Sequence, residues 1–295
     1  MKKKWHQLDE RKKDRLRDLA FLSPSILGVG IFFIVPFFVV VYYSLINNPI
    51  QHRFVLFDNF TALFRNSTFM TAAKNTAVFS LVSVPLAVVL SFLLAQMLES
   101  RIPLKSQFRT FFLSPMMVPV ASVVLIWQVI FSNNGSLNDF LSLFGVERID
   151  WLKSQYAQVV VVALFLWKNL GYNMILFMAA LNNIPKELIE VADMDGATPW
   201  FKFRNIIVRY LSPTILFVTI LSLISSFKVF REVYLLTGKY PVESLYMLQH
   251  FMNNTFVSLD YQKLSAAAVL MALVMVVIIA LLFVFEDKLG KDVEG

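Results

Sequence analysis

The chain has 295 residues, of which 57% are hydrophobic and only 16% are charged, whereas soluble domains have about 25% charged residues. The apolar residues form long blocks, and a block of about 18 or more predicts a membrane-spanning helix. The absence of cysteine excludes disulfides, thiolate catalysis and cysteine-ligated metals.

Six apolar runs are long enough to cross a hydrocarbon core of about 30 Å as helices. Helices are expected because six spans would make a poor barrel and because backbone groups must be satisfied inside the bilayer. The sequence therefore predicts an all-α integral membrane protein. The runs lie at 19–46, 71–98, 108–131, 157–181, 206–227 and 264–285, and kinks or helix starts are expected at Pro36, Pro85, Pro115 and Pro119.

The first run follows a basic segment, residues 1–18, that carries eight Lys and Arg. A secretory signal also begins with basic residues, but its apolar core has only about 7–15 residues and ends at a cleavage site. The run at 19–46 is longer and shows no such site. We therefore expect it to be the first transmembrane helix of the mature protein.

Orientation follows from the placement of Lys and Arg. With the amino terminus inside, the inner segments hold about twice as many of these residues as the outer loops. We therefore expect both termini in the cytoplasm, an extracytoplasmic loop at 47–70 and a cytoplasmic tail at 287–295. The formal net charge of +7 is explained by this topology, which argues against nucleic acid as a partner.

The longest inner loop, residues 182–205, is predicted to form two short helices joined by a turn, and we call it the elbow. Pro185 suits the first position of a helix, and Gly196 ends that helix. Thr198 and Pro199 suit the cap and first residue of a second helix. Small residues that would let another backbone approach line the turn, namely Ala192, Gly196 and Ala197.

Three aromatic residues, Trp200, Phe201 and Phe203, lie in the second arm of the elbow. Exposed aromatics in a loop indicate a partner surface. Alternatively, they pack on the ends of the protein's own helices or lie in the lipid interface. The pattern alone leaves these alternatives open.

The elbow carries a recognisable motif. Glu190-Val191-Ala192, three residues, Gly196, nine residues and Ile206 resemble the "EAA" loop of ATP-binding-cassette importer permeases. A longer stretch is similar to the version of this motif in the carbohydrate-uptake branch, which includes the maltose and glycerol-phosphate permeases. It reads Ile184-Pro185-x-Glu187-Leu188-x-Glu190-x-Ala192-x-x-Asp195-Gly196-Ala197.

Weaker matches to the same branch are spread over residues 19–285. They are Asp58-Asn59-Phe60, Asn75-Thr76 and the pattern from Leu22-Ser23-Pro24 to Pro36. Two positions depart from the family pattern. Val191 replaces a small alanine, and Arg209 lies in a segment where the family usually has the proline that separates the elbow from the fifth span.

The resemblance implies a permease core at 71–286 in which the elbow, between the fourth and fifth helices, couples to a separate cytoplasmic ATPase. It also implies a second permease subunit, an ATPase dimer that binds ATP and Mg²⁺, an extracytoplasmic solute-binding protein and a bacterial or archaeal plasma membrane. The chain itself has no G-x-x-x-x-G-K-[ST] motif, so no cofactor and no enzymatic activity are expected in it. The expected coupling residues are Glu190, Ala192, Asp195, Gly196, Ala197, Trp200, Phe201 and Phe203.

Lys168 lies near the middle of the fourth run, where an ionisable side chain is costly and is by default a functional candidate. Asn169, Tyr172 and Phe165 continue the same helical face, and the resemblance to the maltose permease implies that this face lines the substrate site. The alternative is a network of interhelical bonds that fixes packing. The span centres show no Asp or Glu, so the sequence predicts no acidic partner for Lys168 within this chain.

Ser222, Ser225 and Ser226 form a second small polar stripe, in the fifth run. We include Ser222 and Ser226 in the expected substrate pathway, although small residues are also common at helix-packing positions in membranes. His6, His52 and His250 are far apart in sequence, so no metal site is expected, and no catalytic constellation is found.

The sequence therefore indicates a permease subunit of a carbohydrate importer, with lipid and a sugar or oligosaccharide as further partners. One alternative keeps the same machinery for glycerol phosphate or an anionic saccharide. Two less favoured alternatives are an intramembrane enzyme, which would need paired ionisable groups at matching depth, and a channel or secondary transporter, which would not need the elbow.

Overall fold

The structure, a computed structural model, describes residues 17–18, 20–99 and 103–290. The predicted basic segment before residue 17 and the end of the predicted tail after residue 290 lie outside these ranges. Within them the chain is helical apart from turns and one isolated bridge. The all-α prediction with six spans is confirmed, with candidate spans at Ala20–Ser44, Ser67–Glu99, Val120–Ser142, Ala157–Asn182, Ser212–Thr237 and Tyr261–Asp287.

The chain divides into two units. The first contains the described residues up to 63 together with 258–272, and the second contains 64–257 and the described residues after 272.

The first helix of the chain, α1 (Ala20–Ser44), is π-helical over Gly30–Ile34. Pro36 accounts for this irregularity, because it lacks the N–H that an α-helix directs at the carbonyl four residues earlier.

The loop after α1 is held by asparagine side chains, of which Asn59 ties it back to the end of the span. The chain turns back through an antiparallel bridge between Ile46 and Phe54. Asn59, in α2 (Asp58–Phe64), donates its side-chain amide to the carbonyls of Ser44 and Ile46, at 2.9 Å each. These bonds satisfy carbonyls at the end of the span that would otherwise lack a partner.

Two long helices, α3 (Ser67–Glu99) and α7 (Ala157–Asn182), form the centre of the second unit. Edge-to-face aromatic pairs join them, Phe79 with Phe165 at 5.6 Å and Phe92 with Phe177 at 5.7 Å between ring centroids. Since lipid is as apolar as these rings, close packing holds the helices together, with little contribution from exclusion of water.

The apolar run at 108–131 is divided into α4 (Lys105–Met117) and α5 (Val120–Phe131), and the division lies at Pro119, where a kink or helix start was expected. Val118 is extended, with ψ of 129°, as expected for a residue before proline. Pro119 is the N-cap residue of α5. The next short helix is α6, Ser136–Ser142.

Helix α4 packs against α7 at unusually close range. A Cβ built on Gly171 would lie 1.9 Å from the backbone oxygen of Phe112. Only glycine fits this position, so Gly171 sets how closely the two helices approach.

The fifth span extends beyond the predicted run at 206–227. Helix α10 (Ser212–Phe227) continues after a short turn as α11 (Phe230–Thr237). The elbow between α7 and α10 contains α8 (Lys186–Met194) and α9 (Pro199–Lys202). A short 3₁₀ turn, Glu243–Leu245, leads to α12 (Leu248–Val257) and to α13 (Tyr261–Gly290).

The segment before α12 is tied to α3 by two neighbouring polar residues. Asn75 donates its amide to the carbonyls of Glu243 at 2.6 Å and Tyr246 at 3.1 Å. The Thr76 hydroxyl accepts a bond of 2.8 Å from the Leu248 N–H at the amino end of α12. The Asn75-Thr76 match of the sequence therefore has a structural role.

The first turn of α12 also holds a buried histidine. His250 accepts a bond from the Met247 N–H through Nδ1 and packs edge-on against the Phe230 ring, with centroids 4.7 Å apart. Burial lowers the pKa of His250 from 6.5 to about 4, so the ring is neutral at pH 7.

Candidate functional sites: the elbow and a polar cleft

The elbow folds as two short helices joined at Gly196. Pro185 is the N-cap residue of α8 and not its first helical residue, so the predicted start is one position early. Gly196 has φ of +72°, which is the left-handed region that favours glycine at the end of a helix. The Ala197 N–H then bonds the Ala192 carbonyl at 2.9 Å, and this bond closes the turn.

The second arm begins as the sequence predicts. Thr198 caps α9, since its hydroxyl accepts a bond of 3.2 Å from the Phe201 N–H, and Pro199 follows in the first turn. An ion pair between Lys202 and Asp193 links the two arms. The turn is therefore bonded through both its backbone and its side chains.

Arg209 does not interrupt the second arm. The chain continues from α9 through a π-helical turn, Phe203–Ile207, and a further turn at Val208–Tyr210. Leu211 then separates it from α10, which has Pro213 in its first turn. The break expected from the family pattern lies a few residues later in this chain.

The elbow presents apolar side chains to its surroundings. Met194 is 87% exposed, Trp200 67% and Phe201 52%. Phe203 is half-buried, because it packs on Trp200 at 5.4 Å and on Phe92 of α3 at 5.9 Å between ring centroids. Glu190 and Asp195 are exposed, whereas Ala192 and Ala197 are half-buried. One of the three aromatics thus packs on the chain's own helices, and two remain available.

The second site is a cleft of about 390 Å³ between α4, α7, α10 and α11. Three of the four residues predicted on α7, Lys168, Asn169 and Tyr172, line it with a polar wall. Phe165 also reaches this wall but is only 3% exposed, because it packs against Phe79. The remaining lining residues are Met116, Leu164, Asn173, Leu221, Ser225, Lys228, Val229 and Glu232.

The expectation that this chain holds no acidic partner for Lys168 is wrong. Lys168 forms an ion pair with Glu232 of α11. Glu232 is 7% exposed. A buried carboxylate needs such a partner, since an isolated ion is strongly disfavoured there.

The two serines assigned to the substrate pathway lie between helices. Ser222 accepts a bond of 2.9 Å from the Asn173 amide, and Ser226 bonds Ser80 at 2.8 Å. Both serines are 1% exposed, and it is Ser225 that reaches the cleft. The geometry thus matches the alternative in which the stripe serves helix packing.

A metal centre is not suggested by the part of the chain that the structure describes, where no three His, Asp or Glu side chains are grouped. What the cleft offers is a set of hydrogen-bonding and charged groups in a wall of spanning helices. Such a wall is suited to holding a polar molecule in passage.

Comparison with known proteins identifies the family. Residues 87–295 match the family described as "Binding-protein-dependent transport system inner membrane component". This chain belongs to that family. The resemblance seen in the elbow motif is therefore confirmed, and the chain is a multi-pass inner-membrane transport component.

Named relatives of this permease are transport proteins. It is 31% identical to the lactose transport system permease protein of Rhizobium radiobacter, over 72% of this chain and 74% of that protein. It is 28% identical to the sn-glycerol-3-phosphate transport system permease protein of Pectobacterium atrosepticum, over 91% and 93%. An arabinooligosaccharides transport system permease protein of Bacillus subtilis is 30% identical over 79% and 75%.

Solved structures agree with the fold. A chain of a bacterial ABC transporter involved in the import of alginate, an acidic polysaccharide, matches with a TM-score of 0.81 and 24% identity over 96% of the permease and 99% of that chain. A bacterial alginate ABC transporter, in complex with a periplasmic protein that holds an alginate pentasaccharide, matches with a TM-score of 0.79 and 25% identity over 93% and 94%.

Glu232 and Lys228 are charged residues of the cleft that sequence reasoning missed. The apolar run ends at Phe227, and Lys228 and Arg231 follow it, so the segment resembled an outer loop. An available signal was the spacing of Val229, Val233 and Leu236, which places buried residues on one helical face.

Proposed function

We propose that this permease is one of two membrane subunits of an ATP-driven importer for a sugar or oligosaccharide, in which it forms half of the translocation pathway. Its relatives include permeases named for lactose and arabinooligosaccharide transport. Glycerol phosphate or an anionic saccharide is the alternative substrate class, supported by the glycerol-phosphate permease and the alginate transporters.

The complex that we propose contains a second permease, a cytoplasmic ATPase dimer and an extracytoplasmic solute-binding protein. The family description and the alginate complex with its periplasmic protein support the last of these. ATP and Mg²⁺ are bound by the ATPase, since this chain has no phosphate-binding loop motif of its own.

The elbow is the part of this permease that contacts the ATPase. The observation that carries this assignment is a turn bonded by backbone and side chains, beside exposed apolar residues, Met194, Trp200 and Phe201. Exposed apolar groups at a protein surface mark an interaction site. The elbow and both termini then lie in the cytoplasm.

Transport follows from alternating access. Closure of the ATPase on ATP moves the elbow as a rigid body, and the spans attached to it open the pathway outward. Hydrolysis resets the inward-facing state. If the turn gave way under this motion, the ATPase would hydrolyse ATP without moving the substrate.

The coupling role is tested by two substitutions. Gly196→Pro is incompatible with φ of +72° and removes the N–H that bonds the Asp193 carbonyl. Glu190→Lys reverses an exposed charge in α8. In purified complexes we expect both variants to assemble but to lose uptake and the stimulation of ATPase activity by the binding protein.

Matched controls separate coupling from general damage. Gly196→Asn retains coupling, because asparagine tolerates the left-handed region and a Cβ there has open space around it. Glu147→Lys reverses an exposed charge outside the elbow and has no effect. Normal stimulation and uptake in both Gly196→Pro and Glu190→Lys would refute docking through the elbow.

A further inference from the structure

The polar cleft contains three ionisable side chains, Lys168, Lys228 and Glu232. Lys168 and Glu232 neutralise each other in an ion pair. Glu232 is 7% exposed, so its carboxylate depends on Lys168 as its partner. The pair therefore adds no net charge to the cleft.

Lys228 lies in the turn between α10 and α11 and is exposed at the wall of the cleft. Among residues 17–18, 20–99 and 103–287, no carboxylate lies within ion-pair distance of its ammonium group. The described side chains thus give the cleft one positive charge in excess.

Hydroxyl groups accompany this charge. Tyr172 and Ser225 line the same cleft. Asn169 donates one amide N–H to the Phe165 carbonyl, at 2.7 Å, and its side-chain oxygen can accept a further hydrogen bond. One cation beside several hydroxyl and amide groups is complementary to a molecule that carries an anionic group on a polyhydroxylated frame.

We infer that Lys228 is a specificity-determining residue and that the substrate carries an anionic group, a carboxylate or a phosphate, on a hydroxylated frame. This inference rests on the proposed function, because it takes the cleft as part of the pathway. An excess positive charge at the wall of a cleft raises the local concentration of anions. A neutral saccharide would gain hydrogen bonds to the ammonium group but no attraction between opposite charges.

The test uses the whole complex in proteoliposomes with its binding protein. Three radiolabelled probes are compared: lactose as a neutral disaccharide, a galacturonate disaccharide as a carboxylate and glycerol 3-phosphate as a phosphate. We expect the unmodified complex to import one of the two anions best. The preferred probe then identifies the anionic group of the substrate as a carboxylate or a phosphate.

Substitutions at position 228 then test the residue. Lys228→Gln lowers uptake of that anion about tenfold, the value of one charge-assisted hydrogen bond, and leaves any lactose uptake within about twofold. Lys228→Arg retains anion uptake because the charge is kept. Lys153→Gln, which removes a lysine that is 80% exposed and outside the cleft, serves as the matched control and has no effect.

Four results overturn the inference. Two concern the probes: import of lactose in preference to both anions, or unchanged anion uptake in Lys228→Gln. The other two concern the variants: an equal loss of anion uptake in Lys228→Gln and Lys228→Arg, or a lower yield of assembled complex in Lys228→Gln, which would mean that Lys228 pairs with an acidic residue of the second permease. A different result marks failure of the proposed function itself: no ATP-dependent uptake of any probe and no stimulation of ATPase activity by the binding protein.

Discussion

The ion pair between Lys168 and Glu232 leads to a prediction on stability. Lys168→Met leaves the buried Glu232 carboxylate without a partner, and removal of one member of a buried pair costs about 3–5 kcal/mol. The side chain of Lys168 is 24% exposed, so we expect the lower end, about 3 kcal/mol. Thermal unfolding of the purified complex measures this loss as a lower melting temperature.

The double variant supplies the decisive comparison. Adding Glu232→Gln to Lys168→Met removes the unpaired charge and should recover most of the lost stability. Lys153→Met, in the exposed pair with Asp150, should cost less than about 1 kcal/mol. If Lys168→Met melts no earlier than this control, the pair does not stabilise the fold.

Some residues of the cleft could be predicted from the sequence and others could not. Helical periodicity placed Lys168, Asn169 and Tyr172 on one face, and they do share the cleft. The partner of Lys168 is 64 positions away in sequence, and no periodicity within one helix predicts which side chains meet across two. For the same reason two serines of α10 were assigned to the pathway, although their hydroxyls are hydrogen-bonded to Asn173 and Ser80 between helices.

At the scale of the element, the close contact of α4 with α7 depends on Gly171. Gly171→Ala places a methyl group 1.9 Å from the Phe112 backbone oxygen, so the helices must separate. We expect a loss of about 1–3 kcal/mol, typical of overpacking, and a lower melting temperature in detergent. Gly28→Ala is the control, since a Cβ there meets nothing within 4 Å, and a stable Gly171→Ala would show that α4 shifts freely.

Local chemistry predicted the elements well where a single residue type decides the backbone. The left-handed Gly196 and the capping Thr198 lie where the sequence placed them, because turn and cap chemistry acts over four residues or fewer. The division of α4 from α5 lies at Pro119, where a kink or helix start was expected, because proline cannot continue an α-helix with its full set of hydrogen bonds. The backbone path after Arg209 could be seen only in the structure, since the family pattern does not say where the helix breaks when the usual proline is absent.

At the scale of the whole molecule, composition alone predicts the number of spans, because an apolar helix of bilayer length has no other stable environment. The identity of the partners is not contained in composition. A contact surface for a partner is instead indicated by the elbow, which has exposed apolar residues and which the distribution of Lys and Arg predicts to lie in the cytoplasm.

The topology itself is open to direct measurement, because the chain has no native cysteine. Met194→Cys in the elbow and Lys153→Cys in the loop between α6 and α7 replace side chains that are 87% and 80% exposed, respectively, so both thiols can react. With a membrane-impermeant maleimide added to intact cells, we expect Lys153→Cys to be labelled and Met194→Cys to be protected. Met194→Cys should become labelled once the membrane is opened. The opposite pattern in intact cells would place the elbow outside, where no ATPase could reach it, and would exclude the coupling role.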